Sequence, residues 1–309
     1  MPSTRQERTR TYLRSSAPWR RLMPNRTVRR HIQGVDLYLP WSHLLPDYAR
    51  SSATYGQNLV ELAVALQSRA APGSGPLRVL DVGANIGDST AQILACTDAE
   101  VLCVEGDPYW VEYLRKNLGS NPRVSIEEAL LTRSDDEWQE SSPVREHGTT
   151  RFVQVATAGA AMPAVSTRDL RSKYPAFDAL RLIKSDTDGY DPVLVPAIAD
   201  TWSDSGPVLF FEFDPALARK AGPADPNDVW LKLAALGYSR LAIWDNGGDP
   251  LGQLDLSAAA SESRSLELGS RLLGYTFWDV AARRGDDTAA AAAFDQLVPG
   301  AFAATAEGR

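Results

Sequence analysis

The residues with the clearest chemical promise form the run Val79-Leu80-Asp81-Val82-Gly83-Ala84-Asn85-Ile86-Gly87-Asp88-Ser89, an apolar strand running into a glycine turn and then a helix. Glycine at 83 and 87 lets the backbone adopt positive φ and come close to a ligand. Asp81 stands where its carboxylate can hold the ammonium group of a bound amino acid. Glu105 lies 22 residues past Gly83, at the end of the next apolar run, and an acid there can accept hydrogen bonds from both hydroxyls of a ribose. A second constellation, Ile183-Lys184-Ser185-Asp186-Thr187-Asp188-Gly189-Tyr190-Asp191, gathers three carboxylates around another glycine turn. In an open parallel sheet both turns sit at the carboxyl ends of strands and face one crevice.

Glycine spacing separates two nucleotide chemistries. A pyrophosphate asks for G-x-G-x-x-G, whereas here the pattern is G-x-x-x-G with an acid before it. A carboxylate at 81 repels pyrophosphate and suits the α-amino group of S-adenosylmethionine. The expected cofactor contacts are Asp81, Gly83, Asn85, Gly87, Glu105, Gly106, Asp107 and Asp186. Asp107 admits two readings, a bond to the edge of adenine or a cap on the helix that starts at Pro108. An NAD-dependent oxidoreductase and a non-catalytic nucleotide- or partner-binding descendant of the same fold are the alternative functions.

The elements that must position these groups are readable along the chain. Arg78 to Val82, Val101 to Glu105, Val124 to Ile126, Leu180 to Ser185 and Val208 to Phe213 read as buried strands. Ser89 to Leu94, Pro108 to Leu118 and Trp230 to Leu236 read as helices, and strands alternating with helices argue for a parallel sheet. Arg240 to Trp244 and Gly274 to Trp278 are expected to supply an antiparallel edge. Thr132 to Thr150 reads as a polar loop or insertion, and Asp245 to Pro250 as a turn bordering the acceptor site. The expected organisation is a basic flexible arm (1–33), a helical or lid extension with a linker (34–76) whose helix spans Tyr55 to Gln67, a Rossmann-like domain (77–283) and an alanine-rich tail (284–309).

Nine arginines and one glutamate fall in residues 1–30, so a net charge of −7 leaves about −15 on the remainder. That acidity argues against a nucleic-acid-binding body. No apolar run approaches the ~20 residues of a membrane span, and the start has no secretory signal, so a cytoplasmic protein is expected. Cys96 and Cys103, both within apolar segments, are expected to be buried free thiols.

The chain resembles the FkbM family of methyltransferases. The resemblance rests on Leu80 to Gly87, Val104-Glu105-Gly106-Asp107-Pro108, Val165 to Leu170, Ile183-Lys184 through Tyr190-Asp191, and Phe211-Glu212-Phe213, together spanning roughly residues 55–245. It implies a class I methyltransferase fold, a mostly parallel seven-stranded sheet with an antiparallel edge, S-adenosylmethionine as methyl donor, and a hydroxyl of a sugar, polyketide or related secondary metabolite as acceptor. The family more often carries an apolar residue where Ser185 stands and Glu where Asp188 and Asp191 stand. Attack by a hydroxyl requires a proton acceptor, and Asp186 or Asp188 is the expected base. An Mg²⁺-assisted version would use Asp186, Asp188 and Asp214. Tyr190, Glu212 and His43 are the expected acceptor-binding residues; Glu212 alternatively pairs with Lys184. Trp41, Tyr48 and Tyr55 form a lid or act as packing anchors. His31 and His147 have no acid or nucleophile at a telling spacing. A small-molecule acceptor is the expected partner, with neither nucleic acid nor membrane, and a homodimer is compatible with the sequence.

Overall fold

The computed structural model describes residues 25–134, 141–146, 149–154, 162–221, 225–261, 266 and 277–302. The described chain starts as a hairpin, β1 (Thr27–Ile32) and β2 (Val35–Pro40), turned by Gln33 and Gly34, both at positive φ. Two helices follow, α1 (Leu45–Ser51) and α2 (Gln57–Ser68), the second entered through Gly56 at φ 69°. The arm expected at 1–33 thus ends in a strand; its residues 1–24 lie outside the described residues.

Next come β3 (Arg78–Val82), α3 (Asp88–Cys96), β4 (Glu100–Val104), α4 (Pro108–Leu118) and β5 (Val124–Glu127), within a residue or two of the expected bounds. The stretch expected as a loop from Thr132 instead holds β7 (Ser141–Glu146) paired with β8 (Thr149–Gln154), after β6 (Leu130–Thr132), which pairs with β9 (Ala164–Ser166). Polar alternation in a two-stranded ribbon carries no apolar periodicity, which is why it read as loop. The chain continues through α5 (Thr167–Lys173), β10 (Leu182–Ser185), α6 (Asp191–Thr201), β11 (Val208–Phe213), α7 (Pro215–Ala221) and α8 (Asp228–Ala235). It ends with β12 (Tyr238–Asp245), β13 (Pro250–Asp255), α9 (Leu256–Ser261), β14 (Trp278–Arg284) and α10 (Thr288–Leu297).

The central sheet has eight strands in the order β13-β12-β14-β11-β10-β3-β4-β5. The strands from β5 across to β11 run parallel, β14 is antiparallel to both its neighbours, and β13 is antiparallel to β12. The α/β class and the Rossmann-like, mostly parallel sheet with antiparallel strands toward one edge are as expected, with two differences. The turn at Asp245 leads into β13, an eighth strand, and the last strand starts at Trp278 where the run Gly274 to Trp278 was expected to end one.

Both sheet faces are covered. Leu80, Val82, Ile183 and Phe211 pack with Trp202 and Trp230 on one side, while Val79, Val101, Leu182 and Phe210 pack with Leu62, Leu114 and Phe294 on the other. Alternate residues of one strand serve opposite faces, so these strands read as unbroken apolar runs. The alanine-rich tail segment is part of this cover, since α10 buries Ala290, Ala293 and Phe294 against α2. Cys103 is buried as expected, but Cys96, the last residue of α3, faces solvent; both are free. Among the described residues no helix is long and apolar enough to cross a membrane.

Candidate functional site

From β3 the chain steps outward to β4 and β5, then returns to place β10 on the other side of β3. Connections leave β3 and β10 in opposite directions, and the crevice between their carboxyl ends is where ligands bind in open α/β sheets. The glycine turn lies there. Gly83 has φ 71°, and a Cβ at this position would collide with the carbonyl oxygen of Asp186, so the two strand ends can approach only with glycine. Asn85, also at positive φ (51°), aims its N–H at Glu105 Oε2 (2.8 Å), and the N–H of Asp107 donates to Oε1 (2.8 Å). Both carboxylate oxygens of Glu105 are thereby oriented and each retains acceptor capacity. Burial, opposed by these two hydrogen bonds, raises the pKa of Glu105 to about 7. Gly87 (φ 84°) opens α3, and Gly106 packs directly against Leu130, leaving no room for a side chain. Asp107 caps α4 by accepting the N–H of Tyr109 at 2.9 Å, the second of its two readings.

Asp81 is placed differently from expectation. It is 1% exposed, its Oδ2 accepts the hydroxyl of Thr90 (2.7 Å), and its Oδ1 meets the ammonium of Lys184 at 3.1 Å. Lys184 stands opposite it in the parallel register of β3 and β10 and donates to the Gly83 carbonyl at 2.8 Å. Burial works against the ammonium, but Asp81 and Asp186 outweigh it and hold the pKa of Lys184 above its ordinary range. The ammonium held by Asp81 in this structure is therefore the protein's own. The pair ties the glycine turn to the second constellation from beneath.

Above this clamp opens a cleft of about 1050 Å³, continuous with solvent. Its floor is Gly83, Asn85, Asp88, Ser89, Lys184, Ser185 and Asp186; its far wall is Phe210, Glu212, Phe277 and Asp279; its cover is Gln33, His43, Tyr48, Tyr55 and Asn58. The cover is pinned in place. Gln33 Nε2 donates to the Tyr55 carbonyl (2.6 Å), while the Ser52 and Thr54 hydroxyls both donate to the Gly247 carbonyl (2.7 Å each) in the turn after β12. His43 Nδ1 accepts the N–H of Leu45, leaving the proton on Nε2, which faces Asn85 Oδ1 at 3.4 Å. Tyr48 and Tyr55 pack on each other with ring centroids 5.2 Å apart, whereas Trp41 stays outside the cleft under the guanidinium of Arg30.

Of the two candidate bases, Asp186 lines the cleft with its side chain 51% exposed, 3.9 Å from the Lys184 ammonium. Asp188 is not among the described residues lining it. It occupies a turn position at φ 52°, followed by Gly189 at 99°. Asp191 is buried under that turn, accepting the Ser185 hydroxyl (2.6 Å) and the N–H of Thr187 (3.1 Å), and burial raises its pKa to about 6. Asp214 caps α7 through the N–H of Leu217 (2.8 Å). Among the described residues no three His, Cys, Asp or Glu side chains are grouped to hold a metal ion, so Asp186, Asp188 and Asp214 do not form the cation site that their sequence proximity to strand ends suggested.

Glu212 lines the cleft and makes no pair with Lys184, while His43 contributes to the cover. Tyr190, expected beside the acceptor, lies instead at the start of α6 and lines a separate small pocket with Gly189 and Pro192. His31 is an exposed partner of Asp36 (3.2 Å), and His147 lies outside the described residues. Sequence reasoning missed Asp88, Asn58 and Asp279 as cleft residues. The available signals were weak: an acid in the first turn of a helix, an Asn before an apolar helical run, and a lone acid in the otherwise apolar segment Trp278 to Ala282.

No family model matches this chain, and no curated protein matches its sequence. Solved structures do align with it. It is similar to the O-methyltransferase from Bacillus cereus in complex with SAH (TM-score 0.41, 11% identity, 74% of this chain and 81% of that one). It is also similar to the Methanococcus jannaschii fibrillarin pre-rRNA processing protein (TM-score 0.41, 10% identity, 84% of each chain) and to a spermidine synthase in complex with the transition-state analogue AdoDATO (TM-score 0.41, 13% identity, 78% and 62%). Likeness this loose carries neither activity nor substrate to this chain; the strand order and the crevice beside Gly83 define its architecture.

Proposed function

We propose that this chain is an S-adenosylmethionine-dependent O-methyltransferase acting on a hydroxyl of a small molecule, in keeping with its resemblance to the FkbM motifs. The observation that carries the reading is Glu105, a buried acid at the end of the second strand whose two oxygens are both aimed by backbone N–H groups of the neighbouring turns. Glu105, buried behind Asn85 and not itself among the residues lining the cleft, would take the ribose hydroxyls, Gly83 and Asn85 would bring backbone against the donor, and Asp88 and Asp186 give the cleft the negative charge that a sulfonium and an ammonium require. Bound S-adenosylmethionine supplies a methyl group on a positive sulfur; its transfer to oxygen forms a C–O bond, breaks the C–S bond, leaves a neutral thioether and frees the hydroxyl proton.

The protein's own residues align the oxygen and receive that proton. Asp186, at the carboxyl end of β10 and open to the cleft, is the proton acceptor. Tyr48, Tyr55 and His43 screen the reacting centre from water. Asp81 acts through Lys184 to set the turn. Calorimetric titration with S-adenosylmethionine and, separately, NAD⁺ tests the reading. Donor binding in the wild type and its loss in Glu105→Ala support it; binding of NAD⁺ alone overturns it.

A further inference from the structure

Glu212 and Asp279 stand directly opposite each other in the antiparallel register of β11 and β14, and both side chains open on the cleft. Like charges at such a cross-strand position are destabilising. Asp279 has one oxygen engaged by Asn58 Nδ2 at 2.7 Å, while Glu212 has no hydrogen-bond or ion-pair partner among the described residues. Among the described residues no basic group pairs with Glu212 or Asp279. Apart from His43, Lys184 is the one basic side chain among the described residues lining the cleft, and it is committed to Asp81 and the Gly83 carbonyl.

The strand order separates this wall from the donor side. Glu212 is two strands from the glycine turn of β3 and Asp279 three, which at the usual strand spacing is roughly 10 and 15 Å. Asp186, at the end of β10, lies between. Phe210 and Phe277 border the two acids; aromatic faces attract a cation and displace its water.

We infer that the acceptor is itself a cation, a hydroxylated molecule bearing an amine whose ammonium is held by Glu212 and Asp279 while a neighbouring hydroxyl meets Asp186. The inference rests on the methyltransferase reading above and names the substrate class of that site. A neutral acceptor would leave the two opposed carboxylates uncompensated, and an anionic one would be repelled by them. A functional site that crowds like charges in the empty protein stores instability that the ligand relieves.

The test is a radiolabelled methyl-transfer screen of matched pairs, amino sugars and aminocyclitols against their N-acetylated forms, beside calorimetry with S-adenosylmethionine. The free amines are expected to be O-methylated and the acetylated forms not. Glu212→Gln and Asp279→Asn should each weaken amine binding by roughly thirtyfold or more with donor affinity unchanged. Equal turnover of the acetylated forms, turnover of neither, or loss of donor affinity in Glu212→Gln overturns the inference. Failure of the wild type to bind the donor at all would instead overturn the reading beneath it. A ligand-free readout runs in parallel: Glu212→Gln should raise the Tm of the empty protein at pH 8 by about 2 °C, and a lower Tm there counts against the inference.

Discussion

Lys184 and Asp81 face each other across β10 and β3, and Glu212 and Asp279 face each other across β11 and β14, in one sheet and at the same rim. The first pair is nearly sealed from solvent and closes its charge internally, with the ammonium 3.1 Å from the carboxylate and 2.8 Å from a backbone carbonyl. The second pair opens on the cleft as two acids with one amide donor between them. The difference separates residues that build the site from residues that await a ligand. Breaking the first pair should have the largest effect. Lys184→Met leaves Asp81 buried and uncompensated and should cost about 3–5 kcal/mol, read from the denaturant midpoint. The double variant Lys184→Met/Asp81→Leu should recover much of that loss, because a buried ion pair is a weak net stabiliser once both charges are removed together. Failure of the double variant to recover would mean that the pair also sets the geometry of the glycine turn.

The next effect concerns chemistry at the boundary between the two pairs. Asp186→Asn should lower kcat by about a hundredfold or more, the usual contribution of a positioned base, with donor binding weakened but not lost; Asp188→Asn should leave both within a fewfold. Full loss of donor binding in Asp186→Asn would move that acid from base to donor holder. Normal turnover in both variants would remove the turn from the mechanism.

A smaller effect follows from the cleft acids in the empty protein. Burial first, and the charge of Asp186 next, with Asp279 adding, raise Glu212 well above the carboxylate range; burial, opposed by the Asn58 hydrogen bond and helped by Asp186 and Asp245, raises Asp279 to about 7. Burial also raises Asp88 to about 6, against the pull of Lys184. A carboxyl whose folded pKa lies above its unfolded one stabilises the fold below the unfolded pKa, and that stability is lost as pH rises through the folded pKa. The window here runs from about pH 4 to 7. The expected loss between pH 5 and 8 is about 1–2 kcal/mol, and Glu212→Gln should flatten it. Thermal melts across that range check the sign.

Much of this architecture was written locally. Arg78 to Val82 and Val208 to Phe213 are apolar runs with both faces buried, and Pro108 to Leu118 carries its own cap and periodicity, so short windows sufficed. Glu105 was legible for the same reason, as an acid at a strand end a fixed distance past a glycine turn. What was hidden depends on pairing across the sheet. Nothing near Asp81 shows that the residue opposite will be Lys184, 103 positions later, so its carboxylate read as vacant for a ligand. Asp279 escaped because its strand inserts between β11 and β12 despite being the last strand in the chain, and because β14 with its alanines lacks a strong apolar alternation. The carboxylates of the second turn looked equivalent in sequence; only their backbone conformations assign Asp186 to the cleft, Asp188 to the strained turn and Asp191 to the interior.

That last assignment yields the smallest prediction. Under the second glycine turn the Ser185 hydroxyl donates to Asp191 at 2.6 Å, both residues 1% exposed. Ser185→Ala should therefore cost about 1 kcal/mol, the net worth of one hydrogen bond, while Ser185→Ala/Asp191→Asn should cost less than the sum of the two single changes, because residues in contact are not additive. Additivity in the double-mutant cycle would show that the turn draws nothing from their bond.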